Sequence, residues 1–197
     1  MVVEGAVDEA VARLLIVGAG GHVGDVFGRK GKAYIRSRLA GFNSAALHTQ
    51  QPWLVLIDLD LDHACPVPLR QDLLPAPAET LCFRVAVKAI EAWLLADRVR
   101  ISEFFHVALS QVPPDPEAVP DPKQTLVNLC RRSRSRDVRE AMVPTAEGRR
   151  TVGPGYTSMV EEFVGNPNSG WRVDVACRHS ESLQRAVHCI QQLVRTT

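Results

Sequence analysis

The chain has 197 residues, of which 46% are hydrophobic and 23% charged, and its formal net charge is +1. That length can bury one sizeable core with an elaboration, and the composition is that of a folded globule rather than a disordered chain. No apolar run approaches the ~18 residues needed to span a bilayer, so no membrane association is expected. The near-neutral sum neither requires nor excludes a polyanionic partner.

In chain order, Met1 to Glu4 is short and β-branched and closes at Gly5, which predicts a first strand. Val7, Val11, Leu14, Leu15 and Ala19 then recur at helical spacing, with Asp8 near the start of the run. Val23 to Phe27 is expected as a second short strand, and 30–48 as a helix carrying Lys30, Lys32, Arg36 and Arg38. Trp53-Leu-Val-Leu-Ile57 is the clearest strand, continuously apolar as a strand covered on both faces should be. It runs into Asp58-Leu-Asp60-Leu-Asp62, and prolines at 66, 68, 75 and 77 punctuate the helix and loop that follow. Residues 80–87 read as a strand and 89–96 as a helix with Trp93 in the core. Alternating strands and helices predict an α/β fold with an open, mostly parallel sheet flanked by helices.

After Arg100 the pattern changes. Pro113, Pro114, Pro116, Pro120 and Pro122 form an extended connector, with Pro122 placed to open a helix through Arg132. Gly153-Pro-Gly155 precedes a helix over 156–164, and an amphipathic helix over 181–194 closes the chain. The expected organisation is a core over 1–100, and over 101–197 a connector and helical C-terminal appendage packed on it.

The chain starts with Glu4, Asp8 and Glu9 in place of a basic segment, so no secretory signal is expected, and a cytoplasmic location follows. The five cysteines at 65, 82, 130, 177 and 189 show no C-x-x-C spacing and are expected as reduced thiols. His63 with Cys65, Cys177 with His179, and His188 with Cys189 lack a second pair at zinc spacing and are not taken as ligands. Gly18, Gly20 and Gly21 mimic a dinucleotide fingerprint, but the third glycine belongs at position 23, which is Val23. No P-loop motif occurs, so any ATP hydrolysis would have to come from a partner.

The chemistry concentrates at Asp58. Side chains two apart on an extended strand face one way, so Asp58 and Asp60 are expected to project together, with Asp62 continuing the row. In open parallel sheets ligands sit outside the carboxyl ends of strands, and Glu4 follows the first strand. If those strands are neighbours, three carboxylates converge, and their repulsion favours a shared cation or a proton. Oxygen-only ligands suit magnesium, manganese or calcium rather than zinc. An acidic turn capping the next helix is the alternative. Glu91, just past the next strand, is a further candidate ligand. Lys30 and Lys32, Lys123, and Arg131, Arg132 and Arg134 are candidate phosphate contacts; the last three lie in a stretch, 121–155, with eight Lys and Arg against four Asp and Glu. A solvated helix end is the competing account of those arginines.

Val2-Val-Glu4-Gly5, the helix opening with Asp8-Glu9, and Leu54-Val-Leu-Ile-Asp58-Leu-Asp60 together resemble the Toprim domain of type IA and II topoisomerases, bacterial primases and OLD-family nucleases. The resemblance implies an acid/base role for Glu4 and magnesium binding by Asp58 and Asp60. Further on, Glu91-Ala-Trp-Leu-Leu-Ala-Asp97, Pro120-Asp-Pro-Lys123 and Val152-Gly-Pro-Gly-Tyr156 look like a family of small bacterial Toprim-like proteins of unknown function, often encoded beside an OLD-like ATPase. What this implies is a magnesium- or manganese-dependent nuclease acting on DNA or RNA, an effector in anti-phage defence or a toxin-like system with an ATPase partner. The alternative is a catalytically silent Toprim-fold subunit that binds nucleic acid or regulates an ATPase complex.

Overall fold

A computed structural model describes residues 1–145 and 150–195; Glu147 and Arg149 of the basic stretch lie outside them. The protein is α/β, with a four-stranded, all-parallel sheet in the order β2-β1-β3-β4. The strands are β1 (Val2–Val3), β2 (Phe27–Gly28), β3 (Trp53–Asp58) and β4 (Leu81–Ala86). Among the described residues there are ten α-helices, and none is long and apolar enough to cross a membrane.

Two compact units divide the chain: Met1–Val87 with Ser182–Thr197, and Lys88–Glu181. The expected division at residue 100 falls inside the second of these. That unit is an insertion between β4 and the last helix, and Ser182 Oγ accepts a hydrogen bond from Val87 N–H at 3.3 Å at its two junctions.

In the first unit, β1 leads to α1 (Ala6–Gly18), β2 to α2 (Gly31–Thr49), and β3 to α3 (Pro66–Leu73). Asp8 and Glu9 in the first turn of α1 favour its positive end. Ile35, Leu39 and Ala46 of α2 and Leu69 of α3 pack on Val55, Ile57, Phe83 and Val85, which share one face of the sheet. Leu54, Leu56 and Cys82 alternate onto the opposite face, buried as well. This two-sided burial is why β3 reads as an unbroken apolar run. β2 is shorter and later than expected: Gly28, at φ 96°, is a position where an added Cβ would collide with the Val3 carbonyl, so pairing with β1 demands glycine there.

The C-terminal helix α10 (Glu181–Arg195) returns to the first unit, and Cys189 on it is disulfide-bonded to Cys82 of β4, with Cα atoms 6.1 Å apart. The expectation of five reduced thiols therefore fails for this pair. Nothing local in the sequence joins residues 107 positions apart; helix packing on the sheet does. Because the bond closes a loop that contains the entire inserted unit, its reduction is expected to cost about 2–4 kcal/mol, or roughly 5–15 °C in Tm. Thermal unfolding with and without dithiothreitol checks this, with Cys189→Ser as the matching variant.

The inserted unit contains α4 (Ile90–Leu95), α5 (Arg98–Phe104), a 3-10 turn (Leu109–Gln111), α6 (Pro122–Arg131), α7 (Arg136–Met142), α8 (Tyr156–Gly165) and α9 (Val173–Ala176). Three of its helix starts, those of α5, α6 and α7, are capped by short polar side chains. Asp97 accepts from Arg100 N–H, Asp121 from Gln124 N–H and Ser135 from Val138 N–H. Trp93, Phe105, Leu126 and Phe163 are buried, and Trp171 Nε1 donates to the Trp93 carbonyl at 3.1 Å. Trp93 is core, as expected.

Candidate active site and its two clusters

The order 2-1-3-4 reverses direction between β1 and β3, where an open parallel sheet forms its ligand crevice beyond the carboxyl ends. Glu4 leaves β1 at that edge and Asp58 ends β3 beside it, since the two strands pair in parallel with Val2 opposite Val55. The Glu4 side chain reaches across: its Oε1 accepts a hydrogen bond from Asp58 N–H at 2.8 Å.

Asp60 does not continue the strand. Leu59 is fully buried, with its N–H still paired to the Ala86 carbonyl, and Asp60 then turns at φ 51°. Strand alternation stops at Asp58 and cannot align Asp60 with it. Asp60 instead pairs with Lys32 of α2, and the same ammonium reaches Asp62 at 2.9 Å, with Arg36 3.6 Å from Asp62. Burial works to lower the Lys32 pKa, but the hydrogen bonds to Asp60 and Asp62 outweigh it, with Glu4 adding, and the net value is raised. Asp62 is held below the usual carboxylate value, mainly by its hydrogen bond from Lys32. Lys32, expected as a phosphate contact, is thus the counter-ion of the aspartate turn. Lys30 lies 5.2 Å from the centre of the Tyr34 ring.

Beside this edge Glu9 accepts from Arg13 Nε at 2.8 Å and from Arg29. Burial alone would raise its pKa, but the arginine hydrogen bonds prevail and hold it below the ordinary 4.5. A depressed folded-state pKa means stabilisation that is complete above the unfolded value and lost as pH falls through the folded one. Glu9→Gln is expected to cost about 1 kcal/mol at neutral pH, because both arginines are partly solvated. In urea unfolding the gap to wild type should narrow only as the pH drops below 4.5.

A second polar cluster lies within the inserted unit. Glu91 is 0% exposed. Tyr156 donates its hydroxyl to Glu91 Oε1 at 2.6 Å, and Lys123 Nζ stands 3.4 Å from the same oxygen and 5.9 Å from the Tyr156 ring centre. Among the described residues, Glu91 Oε2 is buried without a hydrogen-bond partner. The three residues come from the three separate sequence segments that carried the family resemblance. Tyr156 was not singled out as a site residue, and no local signal links positions 65 apart. Asp97 caps α5 and takes a fork from Arg172 at 2.7 and 2.8 Å.

Among the described residues, no three His, Cys, Asp or Glu side chains form a group that could hold a metal ion. Glu4 and Asp58 touch, Asp60 and Asp62 share Lys32, and Glu91 is engaged by Tyr156 and Lys123. Cys130 is no nucleophile, since burial pushes its thiol up to about 12. Gly20, Gly21 and Gly24 line a cavity of about 740 Å³ together with Met1, Phe27 and Trp53. This glycine run follows a helix and leads into a strand, the reverse of the strand-loop-helix order that dinucleotide binding requires. Comparison with protein-family models, curated proteins and solved structures finds no match.

Proposed function

We propose that this chain is a divalent-metal-dependent nuclease of Toprim type, with Glu4 and Asp58 at its centre. The observation that carries the proposal is the contact between Glu4 and Asp58, acidic residues at the carboxyl ends of two neighbouring strands, where the strand order reverses.

Glu4 and Asp58 fit an oxygen-preferring ion by donor type, and the Glu4 carboxylate lies against the Asp58 backbone. Asp60 and Asp62 would have to exchange the Lys32 ammonium for it, and Glu91 serves the second cluster. When bound, magnesium or manganese would supply charge stabilisation for a phosphodiester oxygen and lower the pKa of a coordinated water. The chain's own contribution is local. The Asp58 N–H holds the Glu4 carboxylate in place for proton transfer, and Lys32 fixes the turn bearing Asp60 and Asp62 and offsets its charge. Lys30, Lys123, Arg131, Arg132 and Arg134 are proposed contacts to the nucleic acid.

The partnership with an OLD-like ATPase and the role in anti-phage defence rest on the family resemblance alone. A second reading, a silent Toprim-type subunit, is favoured by the pairing of Lys32 with Asp60 and Asp62 and of Arg36 with Asp62, which sets two cations against the two carboxylates of the turn. Incubating the purified protein with DNA and RNA in magnesium or manganese separates the two. Cleavage lost in the joint Glu4→Ala and Asp58→Ala variant supports the nuclease. Magnesium binding by calorimetry without cleavage, with an ATPase partner present, supports the silent subunit.

A further inference from the structure

The arginine-rich stretch holds a built depression that the carboxylate chemistry does not use. A cavity of about 330 Å³ in the inserted unit has Ser102, His106, Leu109, Gln111, Arg132 and Arg134 among its walls, and no carboxylate lines it among the described residues. Arg100, Arg136 and Arg172 of this unit each pair with an acid. Arg132 and Arg134 are exposed and form no ion pair among the described residues. Two arginines at one depression bring like charges together, and an anion between them would offset that repulsion.

The walls are fixed by hydrogen bonds. Ser133 Oγ donates to the Phe105 carbonyl at 2.7 Å and Arg134 N–H to the His106 carbonyl at 3.0 Å, which ties the two lining segments together. Ser102 Oγ donates to the Val107 carbonyl at 2.7 Å, so its proton is committed to the scaffold. Arg98 donates to the Val112 and Leu109 carbonyls at 2.9 and 3.4 Å and pins the turn that carries Gln111. His106 sits at φ 52° with its side chain exposed. Histidine, like asparagine and aspartate, is enriched in that left-handed conformation, so asparagine can stand in its place without disturbing the turn. Its lining residues include two arginines, a histidine and a glutamine, all of which carry side-chain N–H donors. That set matches a tetrahedral oxyanion.

We propose that this depression binds a phosphate group of a nucleic-acid strand, clamped by Arg132 and Arg134 with His106 as a third donor. The identity of the polyanion rests on the nucleic-acid reading above, but the pocket does not require Glu4 or Asp58 to be catalytic. The same chemistry is offered by a strand's terminal phosphate monoester and by its internal diesters.

The test uses the full chain in EDTA and fluorescein-labelled single-stranded oligonucleotides bearing a 5′-phosphate or a 5′-hydroxyl, with inorganic phosphate as competitor. Wild type should bind, and phosphate should compete. The joint Arg132→Gln and Arg134→Gln variant should bind about tenfold or more weakly, and Arg→Lys at both positions should fall between. His106→Asn, which keeps the left-handed turn, should weaken binding by about threefold. A 5′-phosphate preference that disappears in the glutamine variant assigns the pocket to strand ends; equal losses for both probes assign it to internal diesters. Unchanged affinity in a glutamine variant with a wild-type melting curve overturns the proposal, as does failure of wild type to bind or of phosphate to compete. Cleavage is scored separately in magnesium, so a chain that binds in this pattern but never cuts keeps the pocket and loses the nuclease.

Discussion

Asp58→Asn is expected to abolish divalent-dependent cleavage to within measurement, a loss of about a thousandfold or more. Two effects combine in it. On the proposed function, the substitution removes a charged oxygen ligand and weakens the local field that would draw the ion to the sheet edge. Glu4→Gln should cost about 10²–10⁴-fold, the range for removing a general acid or base. The glutamine carbonyl can still accept the Asp58 N–H, so the strand ends should stay as they are. Unfolding curves that overlay wild type, with activity gone, would separate chemistry from folding. Residual activity within tenfold of wild type for both variants would remove these residues from the centre.

Arg172→Ala is expected to destabilise the protein by about 2–4 kcal/mol, the largest effect predicted for a single surface-reaching side chain. Asp97 is 0% exposed, while the Arg172 side chain keeps 38% of its surface in water. Four N–H groups meet the Asp97 carboxylate, two from the Arg172 guanidinium and one each from the Arg172 and Arg100 backbones. Alanine leaves a buried anion with only the backbone pair, and that uncompensated charge dominates the cost. Arg172→Lys keeps the charge but loses the fork, and should recover about half of the loss. Urea unfolding measures both variants. A change under about 0.5 kcal/mol for the alanine variant would mean that the carboxylate finds water or a proton instead.

The parts legible in the sequence were those with a local period or a local cap. β3 announces itself by an apolar run that needs cover on both faces, and α2 by the helical pattern over 30–48. The convergence of Glu4 with Asp58 followed from strand ends in a parallel sheet, although the strand order itself did not. Asp60 was misjudged because strand alternation was carried one turn too far, past the residue at φ 51°. α5 and α7 were missed despite visible caps at Asp97 and Ser135, since the proline and arginine content of that region masked them. The remaining features join distant positions: Lys32 with Asp60 and Asp62, Glu91 with Tyr156, Asp97 with Arg172, and Cys82 with Cys189. No single-sequence period encodes such pairs. Only packing brings them together.

The most direct test of the central claim is manganese binding followed by electron paramagnetic resonance, with wild type and the joint Glu4→Gln and Asp58→Asn variant titrated side by side. A cation shared by these two strand ends predicts that wild type silences the free-ion signal with saturable stoichiometry while the variant leaves it intact. Equal uptake by both proteins, or none by either, would contradict it.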